Sequence, residues 1–192
     1  MNLLPKDGTV VYHGRIFDEV TSRNYYERLS SSIPWRHDEV VMFGKRIVTA
    51  REVAWFADAG IPYRYSGTVK QAIAWTDELA ELKYIVEGIT GLSFNSCLAN
   101  LYHHGGEGMS WHSDDEKALL KRAGIASLSF GAERDFAFRH KLTAETISLR
   151  LVNGSLLVMK DETQEFWKHA LPKAARIKEP RINLTFRTMA GL

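Results

Sequence analysis

His112-Ser113-Asp114 sets an imidazole and a carboxylate two residues apart. In an extended segment, side chains at i and i+2 leave the same face, so one metal ion could be gripped by both. A neutral nitrogen and an anionic oxygen are two of the three ligands in the 2-His-1-carboxylate set, which holds non-haem Fe(II) and leaves coordination positions open. A His-x-Asp pair alone is common surface chemistry, and its weight here comes from the far end of the chain. There Arg181-Ile182-Asn183-Leu184-Thr185-Phe186-Arg187 alternates polar and apolar residues without a slip. As a strand it turns Ile182, Leu184 and Phe186 to one side and Arg181, Asn183, Thr185 and Arg187 to the other. Two guanidiniums and a hydroxyl on one face suit an anion with two carboxylates, since each Arg can bind a carboxylate at two points. The competing expectation is an edge strand with solvated arginines. His169, just upstream, is the candidate third ligand. Its rival, His140, lies between Arg139 and Lys141, whose charges disfavour a metal cation. His103 and His104 are expected to be exposed loop residues.

Other residues extend this chemistry. Asn100 and Tyr102 close an apolar, strand-like run, and Gly105, Gly106 and Gly108 turn the chain toward His112. Asp115 and Glu116 follow Asp114, and carboxylates beside a metal would favour a cationic substrate. Glu116 has the alternative of pairing with an arginine such as Arg134 or Arg139. Nearer the start, Val40-Val41-Met42-Phe43 runs into Gly44-Lys45-Arg46. An apolar tip next to cations fits a wedge into a base stack beside phosphate-binding charge, and equally a hairpin turn with Phe43 in the core. Tyr63 and Tyr65 share a strand face. Stacked aromatics hold an extruded base, but strands also enrich aromatics for packing alone.

The elements that must position these residues are short. Val10 to Tyr12 reads as a strand and Asn24 to Ser30 as a helix capped by Thr21 or Ser22. Ala72 to Gly91 is the strongest helix: Trp75, Leu79, Leu82, Ile85, Val86 and Ile89 recur at helical spacing, and Gly91 stops it. Strands are predicted at Phe94–Tyr102, Ile125–Phe130, Asp135–Arg139, Thr146–Leu151, Ser155–Met159, around His169 and at Ile182–Arg187. That run of short strands predicts an α+β, mainly β chain built as a jelly roll. The 192 residues, 45% hydrophobic and 25% charged, fit one globular domain. A formal charge of +2 permits nucleic-acid binding without arguing for it. The single cysteine, Cys97, excludes an intrachain disulfide and a multi-cysteine zinc site. The expected setting is intracellular, cytoplasmic if the source is bacterial, because neither a secretion signal nor a membrane-spanning run is visible.

The order N-x-Y, H-x-D, H, R-x-N-x-T-x-R resembles the AlkB family of Fe(II)- and 2-oxoglutarate-dependent dioxygenases. Ser129-Phe130-Gly131-Ala132, Arg134-Asp135-Phe136 and Phe138-Arg139-His140 are also similar to that family. The likeness is densest from Leu92 to Arg187, continues more weakly back to about Met42, and is nearest the DNA-repair branch. It implies a double-stranded β-helix over 93–192, preceded over 1–92 by helices and a nucleotide-recognition hairpin region. It implies Fe(II) on His112, Asp114 and His169, with dioxygen as the oxidant and 2-oxoglutarate as the co-substrate. For 2-oxoglutarate it implies Arg181 and Tyr102 at the far carboxylate, Asn100 and Arg187 at the metal-bound end, and Thr185 in support. Phe43, Gly44 and Lys45 become a finger into nucleic acid, Tyr65 a stacking residue, Tyr63 a pocket residue, and Asp115 and Glu116 substrate contacts. The implied reaction hydroxylates the alkyl group of 1-methyladenine or 3-methylcytosine in DNA, extending to etheno adducts, and releases formaldehyde. The partner is alkylated DNA, with RNA as an extension, for a monomer with no membrane association. The alternatives are an oxygenase acting on RNA or protein, and a jelly-roll binding module without catalysis. Ala174 and Ala175 interrupt the basic loop that duplex-preferring relatives carry after the third ligand.

Overall fold

The structure is a computed structural model that describes residues 1–42, 45–59, 61, 63–65, 68–70 and 72–190; for 40–42, 45–47, 63–65 and 68–70 it describes the backbone path alone. The elements in order are β1 (Thr9–Arg15), α1 (Glu19–Ser32), β2 (Arg36–Met42), β3 (Lys45–Ala57), β4 (Tyr63–Tyr65), β5 (Thr68–Lys70) and α2 (Asp77–Thr90). They continue as β6 (Ser96–Tyr102), β7 (Met109–His112), β8 (Ile125–Gly131), β9 (Arg134–His140), β10 (Thr146–Leu151), β11 (Ser155–Lys160), α3 (Thr163–Phe166), β12 (Trp167–Leu171) and β13 (Arg181–Arg187).

Two antiparallel sheets face each other. The larger runs β1-β11-β8-β13-β6-β3-β2 and the smaller β10-β9-β12-β7, while β4 and β5 form a separate ribbon. This is the predicted jelly roll. Strands from both sides of residue 92 share the large sheet: β1 pairs with β11 and β3 with β6.

The outer face of the large sheet is sealed by the helices. Tyr25 and Leu29 of α1 and Ile33 just after it, with Leu79, Leu82 and Val86 of α2, pack on Phe56, Ala99, Leu128, Phe130, Leu184 and Phe186. Between the sheets a second core of Val10, Phe138, Leu151, Leu157, Met159 and Trp167 fills one end, so a cavity opens at the other end. No helix among the described residues is long and apolar enough to cross a membrane.

β13 is central, paired with β6 on one side and β8 on the other. All seven of its residues are buried, which overturns the edge-strand alternative. Ile182, Leu184 and Phe186 join the helix-covered core, and the polar alternates face the cavity. A one-residue slip would exchange the two sets, so the register is strongly specified.

The helix ends differ from expectation. Asp18, not Thr21 or Ser22, caps α1 by accepting the Thr21 N–H at 2.7 Å; Ser22 is instead buried inside the helix. Helix α2 begins at Asp77 behind a Thr76 cap, later than the apolar periodicity suggested. Trp75 stays outside the helix, donating its indole N–H to Asp58 at 2.7 Å and stacking on Phe186. Gly91 ends the helix in the left-handed region at φ 68°, as its position predicts.

Candidate active site

The metal-binding candidates converge. His112 ends β7, Asp114 follows it in the loop, and His169 lies opposite His112 in the β12–β7 pairing. His112 Nε2 and His169 Nε2 stand 3.6 and 3.8 Å from Asp114 Oδ1, and one ligand atom from each residue lies within 4.8 Å of the others. A first-row metal holds nitrogen and oxygen ligands at roughly 2.0–2.2 Å, which sets ligand pairs roughly 3–4 Å apart. The triad is therefore spaced for one ion. His112 Nδ1 lies 2.8 Å from the Ser110 carbonyl. A carbonyl only accepts, so Nδ1 carries the proton and Nε2 keeps its lone pair for a metal.

The neighbours hold that geometry. Asp114 N–H donates to Gln164 Oε1 at 2.9 Å, and Ser113 Oγ donates to the Trp167 carbonyl at 2.9 Å, fixing the loop against α3 and β12. Burial pushes His169 down to about 3, which keeps its imidazole neutral and ready to ligate. Burial alone would raise the Asp114 carboxyl, but its neighbours, the Arg187 guanidinium first among them, outweigh it and hold Asp114 below the usual range.

The rival histidine is occupied elsewhere. His140 is buried, with Nε2 3.1 Å from Asp7 and Nδ1 accepting the Leu142 and Thr143 N–H groups. His103 bridges Glu107 and Glu52, and His104 lies on the exposed side of that loop.

A cavity of about 290 Å³ lies over the triad. Asn100 and Tyr102 of β6 and the whole polar face of β13 line it, together with Asp115 and Glu116 at its rim. Arg181 is only 2% exposed. Its Nη2 donates to Ser129 Oγ at 2.9 Å and its guanidinium lies 5.6 Å from the Tyr102 ring, while Nε has no hydrogen-bond partner. Among the described residues no carboxylate comes within ion-pair distance of it, and burial pushes it down to about 10. A buried cation with an orphaned donor, opening on a cavity beside a metal triad, fits the carboxylate of a small dianion such as 2-oxoglutarate. Arg187 contrasts with it, donating to Asp114 Oδ2 at 2.9 Å and lying 3.5 Å from Glu116 Oε1. Glu116 thus meets Arg187, not Arg134 or Arg139. Arg134 donates instead to the Glu107 and Pro172 carbonyls.

Several further lining residues were assigned no role from the sequence. Asp38 and Arg51 reach the cavity from β2 and β3. Asn183, which donates to Ser127 Oγ at 2.8 Å and accepts from Thr185 at 3.2 Å, holds the middle of the β13 face. Phe136 contributes an apolar wall and stacks on His169 at 5.5 Å. Phe43 and Gly44 lie outside the described residues, as do the side chains of Lys45, Tyr63 and Tyr65; only the paths of β3 and β4 through the last three are described.

A family model for the 2OG-Fe(II) oxygenase superfamily matches residues 8–187. The chain belongs to that superfamily, the class of dioxygenases that use Fe(II), 2-oxoglutarate and dioxygen. Within the class it is of the AlkB family. It is 41% identical over 157 residues to the DNA oxidative demethylase ALKBH2 of Mus musculus, covering 78% of this chain and 66% of that protein. It is 39% identical over 174 residues to the alpha-ketoglutarate-dependent dioxygenase alkB homolog 3 of Bos taurus, covering 85% and 60%. The chain thus spans about 60–66% of the length of these curated relatives. A solved structure of OsALKBH1 superposes with a TM-score of 0.60 over 96% of this chain and 99% of that one, at 13% identity, a likeness of fold.

Proposed function

We propose that the chain is an Fe(II)- and 2-oxoglutarate-dependent oxidative demethylase of N-alkylated bases in DNA, with 1-methyladenine and 3-methylcytosine as substrates. The observation that carries this reading is Arg181, a buried guanidinium without a carboxylate partner among the described residues, opening on the same cavity as the triad. Leaving such a cation unpaired is unfavourable, so its anion is one that arrives. In this reading Arg181 and Tyr102 take the far carboxylate of 2-oxoglutarate, Asn100 and Arg187 address the metal-proximal end, and Thr185 supports them through Asn183. His112, Asp114 and His169 hold the metal. Bound Fe(II), with 2-oxoglutarate and dioxygen, supplies the oxidising power for attack on an N-methyl group. The Phe136 wall and the buried β13 face keep bulk water from that chemistry.

The preference for a cationic base rests on Asp115 and Glu116 at the rim. Both 1-methyladenine and 3-methylcytosine carry positive charge, which carboxylates attract. Relatives at about 40% identity, the Mus musculus protein among them, are described as DNA oxidative demethylases. Recognition falls to the stretch that joins β2 to β3, with Phe43 as wedge and Lys45 on phosphate, and to Tyr65 and Tyr63 against the extruded base. Recognition and catalysis share one domain in this reading.

Mass spectrometry of oligonucleotides carrying each methylated base, single- and double-stranded, tests the proposal. Loss of the methyl group with formaldehyde release should require both Fe(II) and 2-oxoglutarate. Turnover of methylated RNA or a peptide with every DNA substrate untouched would refute it. Phe43→Ala should slow repair in duplex far more than in a short single strand, because the wedge offsets an unstacking cost of a few kcal/mol that a single strand largely escapes.

A further inference from the structure

We infer that Arg51 is a positioning residue for 2-oxoglutarate, acting through Asn100. This rests on the proposed role of Asn100 at the metal-proximal end of the co-substrate. Arg51 lies on β3, and the local pairing explains its aim. His37 pairs with Glu52 and Glu39 with Val48, so Thr49, Ala50 and Arg51 together face the single residue Asp38. Such a bulge re-aims side chains that regular pleating would send elsewhere. Thr49 pins it, with Oγ1 accepting the Asp38 N–H at 3.2 Å and donating to the Arg51 carbonyl at 2.9 Å. Both Arg51 and Asp38 are turned into the cavity and buried.

Arg51 then does two things. Its Nη2 lies 3.5 Å from Asp38 Oδ2, which balances its charge. Its Nε–H donates to Asn100 Oδ1 at 3.2 Å. An amide has a donor end and an acceptor end, and a guanidinium offers donors alone, so this contact decides which end of Asn100 faces which way. With Oδ1 turned to Arg51, the Nδ2 donors are left for the cavity, and among the described residues they make no other hydrogen bond. A carboxylate at the metal needs donors there. If the amide were reversed, it would present an oxygen to an anion. Arg51 thus presets the amide for the co-substrate, and Asp38 holds Arg51 in place at the base of the hairpin assigned to nucleic acid.

Calorimetric titration of 2-oxoglutarate into the Mn(II)-loaded protein reads this without turnover. Arg51→Met should weaken 2-oxoglutarate binding about tenfold, as expected for losing a hydrogen bond from a charged donor, with Mn(II) affinity unchanged. Arg51→Lys should recover part of the loss. Because Arg51→Met leaves the Asp38 carboxylate buried, the paired variant Asp38→Asn/Arg51→Met removes both charges and should show the same weakening in a folded protein. In a double-mutant cycle, adding Arg51→Met to Asn100→Leu should cost nothing further. Unchanged affinity in both Arg51 variants, or losses that add in the cycle, would overturn the assignment. Failure of the unsubstituted protein to bind 2-oxoglutarate would overturn the co-substrate reading itself, and this inference with it.

Discussion

Arg181 and Arg187 occupy opposite ends of one face of β13, and their surroundings could hardly differ more. Arg187 meets two of the protein's own carboxylates, Asp114 and Glu116. Arg181 is equally buried but has a serine hydroxyl, a tyrosine ring and no carboxylate among the described residues. Arg187 is tied to the protein's own anions and sets the position and charge of a metal-ligand candidate, beside the place proposed for it at the metal-proximal end of the co-substrate. Arg181 has none among the described residues and opens on the cavity, which is what the proposed co-substrate reading uses. The same residue type on the same strand thus serves two ends, told apart by partners rather than by sequence.

The sharpest way to break this comparison is to remove each charge. Arg181→Met should weaken 2-oxoglutarate binding by about a hundredfold or more, the range expected when one partner of a buried pair is lost. The same change should leave thermal stability equal or higher, since it deletes an unpaired buried charge. Arg187→Met should do the reverse to the fold, lowering unfolding stability by about 1–3 kcal/mol as Asp114 and Glu116 lose a charged donor. Calorimetry and urea unfolding on both variants decide the matter; matching stability losses would erase the distinction.

Acidity sharpens it at the Arg187 end. His169, pushed by burial to about 3, binds fewer protons folded than unfolded between there and its ordinary value near 6.5. Stability should therefore be intact above about pH 6.5 and fall as pH drops toward 3. Asp114, held low once its cationic neighbours outweigh burial, adds a loss of the same sign at the acid end of that window. Urea midpoints between pH 7 and 4 should fall steadily in the parent and less steeply in His169→Gln. A smaller effect is expected from Arg181→Lys, which keeps the charge but loses the two-point grip; calorimetry should show about a tenfold loss in 2-oxoglutarate affinity. Smallest is Thr185→Val, whose lost hydroxyl should change binding by about 1 kcal/mol or less.

How much of this could be read in advance follows from local periodicity. The β13 face was legible because alternation at period two survives burial on both sides. The triad was legible because His112 and Asp114 share a short extended segment and His169 precedes the arginine strand. The jelly roll could be read from the succession of short strands. Strand β3 could not: Ala50-Arg51-Glu52-Val53-Ala54 is rich in helix formers, and the bulge opposite Asp38 breaks the alternation that would mark a strand. For the same reason Asp38 and Arg51 escaped notice. Their meaning depends on each other and on Asn100, three positions far apart in sequence that meet only across β2, β3 and β6. Glu116 showed the same limit, since its charge was plain and its partner was not. The Asp18 cap was obscured by Thr21 and Ser22, equally good capping types a few residues on.

The placement of β13 also bears on how the protein comes into being. It is a late strand in the chain, yet it sits between β8 and β6 and gives each its partner. Synthesis proceeds from the N-terminus, so the strands that carry Asn100, Tyr102 and the metal triad emerge before either arginine. Until β13 inserts, β6 and β8 present unpaired backbone toward one another, and their pairing must wait for long-range contacts that form slowly. A growing or truncated chain could thus assemble the triad while lacking both guanidiniums of the cavity. The strand that closes the sheet is the one that brings both guanidiniums of the cavity, so in the proposed reading completion of the fold is coupled to competence for co-substrate.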